Sequence, residues 1–254
     1  MEMKDTEKTD GTTAGNGGAG DAVLRKGYLG RLTSRFRVKN FWKKFVFVAV
    51  AIFLMGFSLS FLIEASWGTD PYSFMNLNIA GKLDWTLGNW QLTLNAAMLL
   101  FMLAFGPEHI GAGTILNMVL IGYTADFFCW LWLQLGLHAV ICLPEYFPLR
   151  VAVFACALFF FIVTAAVYMN CDMGLSPYDA AIKIVSGWIP RIPYFAIRIA
   201  YDLLAVGIGL AAGLTSVRGL QGSLLGTVIM ALAMGPAIST VGRLMKKHIG
   251  VFRE

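Results

Sequence analysis

Apolar residues gather in six long runs, over 45–63, 90–105, 113–135, 149–170, 194–214 and 219–244, and each reads as a membrane-spanning helix. One crossing of a bilayer's hydrocarbon core takes about 20 such residues. The strict apolar–polar alternation of a membrane β-strand is not present. Two shorter stretches, 71–80 and 177–188, carry the same opening signal. The first reads Gly68-Thr69-Asp70-Pro71-Tyr72-Ser73 and the second Gly174-Leu175-Ser176-Pro177-Tyr178-Asp179. A capping side chain, Asp70 or Ser176, takes up free N–H groups, and proline at the first helical position needs none. Ser176 and Asp179 also have capping-box spacing, with Asp in place of the usual Glu. Helices of about ten to thirteen residues measure about 15–20 Å, roughly half the hydrocarbon thickness. A half-length helix in each half of a membrane chain points to a binding site between them.

The two halves match in order. At an offset of 106, Gly68, Asp70, Pro71, Tyr72 and Ser73 meet Gly174, Ser176, Pro177, Tyr178 and Asp179. At 107, Gln91 meets Arg198 and Asn95 meets Asp202; at 109, Gly113-Thr114 meets Gly222-Ser223. Each repeat then holds three spans and one half-helix. Three is odd, so the second repeat enters the membrane from the opposite side. The expected fold is an all-α membrane protein of six transmembrane helices plus two half-membrane helices, in two inverted repeats of three spans each. The segments are a disordered tail at 1–27, a basic amphipathic stretch at 28–44, the first repeat at 45–136, a loop at 137–148, the second repeat at 149–245, and a basic tail at 246–254.

Composition agrees: 57% of the residues are hydrophobic and only 14% charged, with a mean hydropathy of +0.68, against about 25% charged in a soluble domain. No apolar core of a cleavable signal precedes the first span. The net charge of +5 lies wholly in residues 1–44, with ten Lys/Arg against five Asp/Glu. A basic flank beside a first span holds that end in the cytoplasm. This makes nucleic acid a poor partner and, with six spans, leaves both termini cytoplasmic. Leu29, Leu32 and Phe36 share a helical face among Arg31, Arg35, Arg37, Lys39, Lys43 and Lys44. That suits either a helix on an anionic membrane surface or a solvated tether.

Chemistry-bearing residues within the spans are few. Arg198 and Asp202 lie four apart, hence on one face. They read as an anion anchor with its holder or proton acceptor, or as a self-neutralised packing pair. Asp126 lies half-way along the third span with no charged neighbour within a turn, which suggests a proton or cation coupling role. Asn95 and Asn117 are placed opposite Arg198. Asp70, Ser73, Ser176 and Asp179 mark helix N-termini, where partial positive charge and free N–H groups suit an anion; the plainer reading is that they only cap. Glu64, Thr164, Tyr168 and Asp172 are candidates for the approach to the site. Gly209/Gly213 and Gly222/Gly226 have the spacing of close helix packing. Cys129, Cys142, Cys156 and Cys171 are scattered, with no metal-binding spacing. His109, His138 and His248 fall in loops or at span ends. No nucleotide-binding loop, zinc motif or catalytic triad is present, so no enzyme activity, cofactor or metal is expected.

The two Pro-Tyr motifs resemble those of the YczE/YitT-like bacterial integral membrane proteins. So do Arg198-x-x-x-Asp202, the run Gly111-Ala112-Gly113-Thr114-Ile115-Leu116-Asn117 leading to Gly122 and Asp126, and the late Gly235-Pro236. The likeness covers about residues 45–240. It departs at Tyr72-Ser73, where Trp-Asp is commoner. It implies a bacterial inner-membrane location and supplies no substrate.

The function expected from these features is a transporter or permease for a small, anionic solute bound at the midplane where the half-helices meet. The alternative is a non-transporting scaffold or regulator that docks a cytosolic protein through the basic arm. A capture subunit for an energised transporter also fits six spans. The expected partners are the lipid bilayer and a small-molecule solute, with room for a homo-oligomer.

Overall fold

A computed structural model describes residues 27–36, 38 and 40–248. The tail expected to be disordered lies outside the described residues except for Gly27. So do Arg37 and Lys39 of the basic stretch and residues 249–254 of the basic C-terminal tail. Every long element is helical: α1 Phe41–Ala65, α2 Pro71–Leu83, α3 Leu87–Phe105, α4 Ala112–Gln134, α5 Phe147–Asn170, α6 Pro177–Trp188, α7 Tyr194–Leu214 and α8 Leu224–His248. No strand occurs among the described residues. Six helices, α1, α3, α4, α5, α7 and α8, are long and apolar enough to cross a membrane. The connecting loop holds a short helix, Leu137–Ile141, and a 3-10 turn, Pro144–Tyr146.

The helix starts follow from their caps. Asp70 accepts the Ser73 N–H at 3.0 Å, and Pro71 opens α2. Ser176 Oγ accepts the Asp179 N–H at 3.1 Å, and Pro177 opens α6. The Asp179 carboxylate returns to the Ser176 hydroxyl, at 2.7 Å, where a capping box would send it to the backbone N–H. Several boundaries differ from the hydropathy reading by three to five residues, and two of them have a local backbone cause. Helix α2 continues three residues past 80, until Asp84 turns left-handed (φ 58°) and its N–H closes on the Ala80 carbonyl. The last span begins at Leu224 and not 219, because Gly219 and Gly222 have φ of 70° and 80°, incompatible with a right-handed helix.

Helix α1 lies at the centre, packed on α4 and α5, and α8 packs on α5 and α7. The short helices pack across the molecule, α2 on α7 and α6 on α3. The largest buried cluster joins Ile52, Leu59 and Leu62 of α1 to Phe161 and Tyr168 of α5 and Met230 of α8. A smaller one joins Met75 of α2 to Tyr178 and Ile182 of α6 and Ala205 of α7. These clusters bring the first turns of α2 and α6 together at one cavity.

Candidate functional site

The loops leading into the short helices are held by backbone contacts. The Gly113 N–H donates to the Met173 carbonyl at 2.8 Å, and the Leu175 N–H to that of His109 at 3.0 Å. A Cβ on Gly111 would strike the Met173 carbonyl; a Cβ on Gly226 would strike that of Trp67. Gly68 (φ 116°) and Gly174 (φ 105°) take left-handed conformations that any side chain would strain. A Cβ on Gly68 would meet the Thr227 nitrogen at 2.6 Å, and one on Gly174 the Gly111 nitrogen, also at 2.6 Å. The partner of the first motif is therefore Gly226-Thr227. The pair Gly222-Ser223, chosen by the offset of 109, lies in the loop before α8.

Between the first turns lies a cavity of about 100 Å³. Asp70, Ser73, Ser176, Asp179, Arg198 and Asp202 all contribute to its wall, and Asn117 of α4 faces them. Arg198 is held twice: Nη1 donates to Asp179 Oδ1 at 2.6 Å and Nε to Asp202 Oδ2 at 3.4 Å. Asp202 also accepts the Tyr178 hydroxyl at 2.7 Å. Across the cavity the Tyr72 hydroxyl donates to Asn95 Oδ1 at 2.6 Å. Asn95 is buried behind Tyr72 and is not part of the wall. Position for position, the α2 tyrosine is bonded to α3 as the α6 tyrosine is bonded to α7.

Asp126 lies elsewhere. Its two carboxylate oxygens accept the Leu87 and Gly88 N–H groups at 3.1 and 2.7 Å, so it caps α3 from the side of α4. Those donors are free backbone groups of a helix start, a neighbour that no charge pattern discloses. Of the residues considered for the approach, Tyr168 reaches the cavity wall. Thr164 bonds back to the Phe160 carbonyl of its own helix at 2.7 Å. Asp172 pairs with Arg35, and Glu64 is buried near the end of α1. Gly209 and Gly213 pack closely against α2, at Phe74 and Asn78.

Several wall residues carry no signal by residue type. Gln91 belongs to the wall with Tyr72 and Tyr178, whose rings touch at a tilt of 37° with centroids 4.5 Å apart. The tyrosines belong to the shared Pro-Tyr motif, and Gln91 is the position that an offset of 107 pairs with Arg198. None of the four cysteines is in a disulfide, and no cluster of three metal-ligating side chains occurs among the described residues.

These features define a multi-pass helical membrane protein with one polar cavity among its helices. The chain belongs to a family of unknown function, DUF6198, whose pattern matches residues 42–243. It is similar to the uncharacterized membrane protein YczE of Bacillus subtilis (strain 168), at 23% identity over 149 residues. That alignment covers 57% of this chain and 65% of the relative, a little under two thirds of its length. No solved structure matches.

Proposed function

We propose that this protein is a membrane transporter or permease for a small solute, seated where the first turns of α2 and α6 meet. The observation that carries this reading is the convergence of Asp70, Ser176, Asp179, Arg198 and Asp202 on one cavity inside an apolar bundle. Ionisable groups cost about 2.5–3.5 kcal/mol each at the centre of a span, so a cluster of them implies use.

An inverted repeat is supported by the paired contacts. Helix α1 meets α4 as α5 meets α8, α2 meets α7 as α6 meets α3, and α3 meets α4 as α7 meets α8. With three spans per repeat, the two units run in opposite directions, and α2 and α6 are half-membrane helices entering from opposite faces. The Lys/Arg excess before α1 supports an inner-membrane protein with both termini in the cytoplasm. No catalytic role is assigned to any residue.

The geometry does not favour an anionic solute. Arg198, the anchor the sequence suggested for an anion, is already bonded to two carboxylates. The docking alternative has less support as well, since two groups of the basic arm are engaged with the bundle itself. The Tyr28 hydroxyl donates to the Leu103 carbonyl at 2.8 Å, and Arg35 pairs with Asp172.

Reconstitution into proteoliposomes tests the proposal. Solute flux above that of protein-free vesicles, retained after deletion of residues 1–40, is expected. Absence of flux for every solute that binds would leave a binding protein and remove the transporter.

A further inference from the structure

The polar atoms left over inside the cavity have a common character. Asp70 uses Oδ2 on the Ser73 N–H, while its buried Oδ1 has no partner. Gln91 is 3% exposed, and its Oε1 is likewise unpartnered. Tyr168 is 2% exposed with an unpartnered hydroxyl. All three residues belong to the cavity wall. Two of these atoms can only accept a hydrogen bond, and the third can accept or donate. Buried polar atoms are normally satisfied, and leaving one unsatisfied costs about 1–3 kcal/mol. The complement of this wall is a group rich in donors.

Charge points the same way. The wall carries three carboxylates, Asp70, Asp179 and Asp202, against the single guanidinium of Arg198. Two helix N-termini add about half a positive charge each, which still leaves roughly one negative charge uncompensated. The carboxylates of Asp179 and Asp202 are fully engaged by Arg198, Ser176 and Tyr178. By that count the excess is shared about equally between Asp70 and the Asp179–Asp202–Arg198 group, and Asp70 Oδ1 is the carboxylate oxygen of the wall left without a partner. The adjoining rings of Tyr72 and Tyr178, inclined at 37° to each other, add aromatic surface to the same wall, and aromatic faces attract cations.

We propose that the cavity binds a protonated amine, with Asp70 Oδ1 as its counter-ion and Gln91 Oε1 and the Tyr168 hydroxyl as further acceptors. An ammonium group has three donors and no acceptor, which is what these three atoms lack. The inference rests on the cavity proposed above as the solute's seat. It gives Asp70 a role beyond capping α2, and it reverses the sign of charge that Arg198 suggested.

The test uses the full chain in lipid nanodiscs, with methyl- to hexylammonium chlorides set against sodium carboxylates of equal carbon number. Binding is read by thermal shift and calorimetry. The ammonium series is expected to bind and the carboxylate series not to bind. Asp70→Asn keeps a good helix cap and removes the charge. It is expected to weaken ammonium binding by about thirtyfold or more. Asp70→Ser, which copies the cap of α6, serves as a second variant should the first fail to fold. Asp126→Asn, outside the cavity, leaves binding unchanged.

Undiminished ammonium binding in both folded Asp70 variants would overturn the proposal, as would failure of every ammonium ion to bind. Binding or flux of the carboxylates alone would overturn it while leaving the transporter reading intact. Ammonium binding that depends on Asp70, with no flux in proteoliposomes, would uphold it and remove transport.

Discussion

Tyr72 and Tyr178 lie ring against ring, 4.5 Å between centroids, and each points its hydroxyl at the helix that follows its own. One hydroxyl meets an amide, Asn95, and the other a carboxylate, Asp202. The same architectural position is thus neutral in one half and charged in the other, and this difference makes the halves chemically distinct.

Removing either hydroxyl separates those roles. Tyr72→Phe leaves the buried Asn95 side chain with no partner at all, since its Nδ2 already has none. A loss of about 1–3 kcal/mol is expected. Tyr178→Phe costs less, because Asp202 keeps its bond to Arg198. Thermal melts of the two variants in detergent give the order; equal losses would contradict it.

Arg198→Met leaves Asp179 and Asp202 facing each other without their shared cation. A destabilisation of about 3–5 kcal/mol is expected, the usual consequence of stranding a buried charge. Adding Asp179→Asn to the same chain should recover part of that loss. If the double variant melts no higher than the single one, the pairing does not hold the two helices together.

Asp126→Asn tests whether this acid serves structure or coupling. Half of its grip on the first N–H groups of α3 is lost, so a stability decrease of about 1 kcal/mol is expected. Solute binding should be unaffected. A variant of normal stability whose flux had lost its dependence on a proton gradient would return Asp126 to the coupling role.

Gly226→Ala and Gly111→Ala push a methyl group into a backbone carbonyl that cannot move without its loop. Each should cost at least about 2 kcal/mol and lower the folded yield in size-exclusion profiles. Gly207→Ala is the control: nothing lies within 4 Å of the added carbon, so that change is neutral or slightly stabilising.

His109 gives a pH dependence outside the spans. Its imidazole is held below the ordinary range by burial and by Lys183 and Arg35, with Glu108 acting in the opposite direction. The unfolded chain therefore binds this proton at a higher pH than the folded one. Stability is complete above the unfolded value, near 6.5, and declines as pH falls through the lower folded value. Melting temperatures between pH 7 and 5 should drop less in His109→Gln than in the wild type.

The six spans and the two helix starts were legible because length, hydropathy and the cap-Pro signal are local properties. Helix α6 and helix α7 have the bounds the pattern gave, Pro177–Trp188 and Tyr194–Leu214. The i, i+4 spacing likewise disclosed the Arg198–Asp202 pair. What the chain concealed was contact at a distance. Asp179 reaches Arg198 from another helix, 19 positions away, and gives the guanidinium a second carboxylate partner. Asp126 finds its donors 38 and 39 positions back, at a helix start that no side-chain chemistry advertises. The contact of Gly68 with Gly226-Thr227 joins residues 158 positions apart, and the offset of 109 from Gly113-Thr114 lands four residues short of that pair.

The crossed contacts of the two entry loops bear on how the chain is made. Met173 closes on Gly113, a residue already synthesised when it emerges. Thr69 instead waits for Thr227, 158 positions later, to supply its partner. During insertion the first short helix is left without its brace until the final crossing arrives. A ribosome-bound intermediate stopped before residue 224 would hold the backbone contact of the second entry loop and lack that of the first.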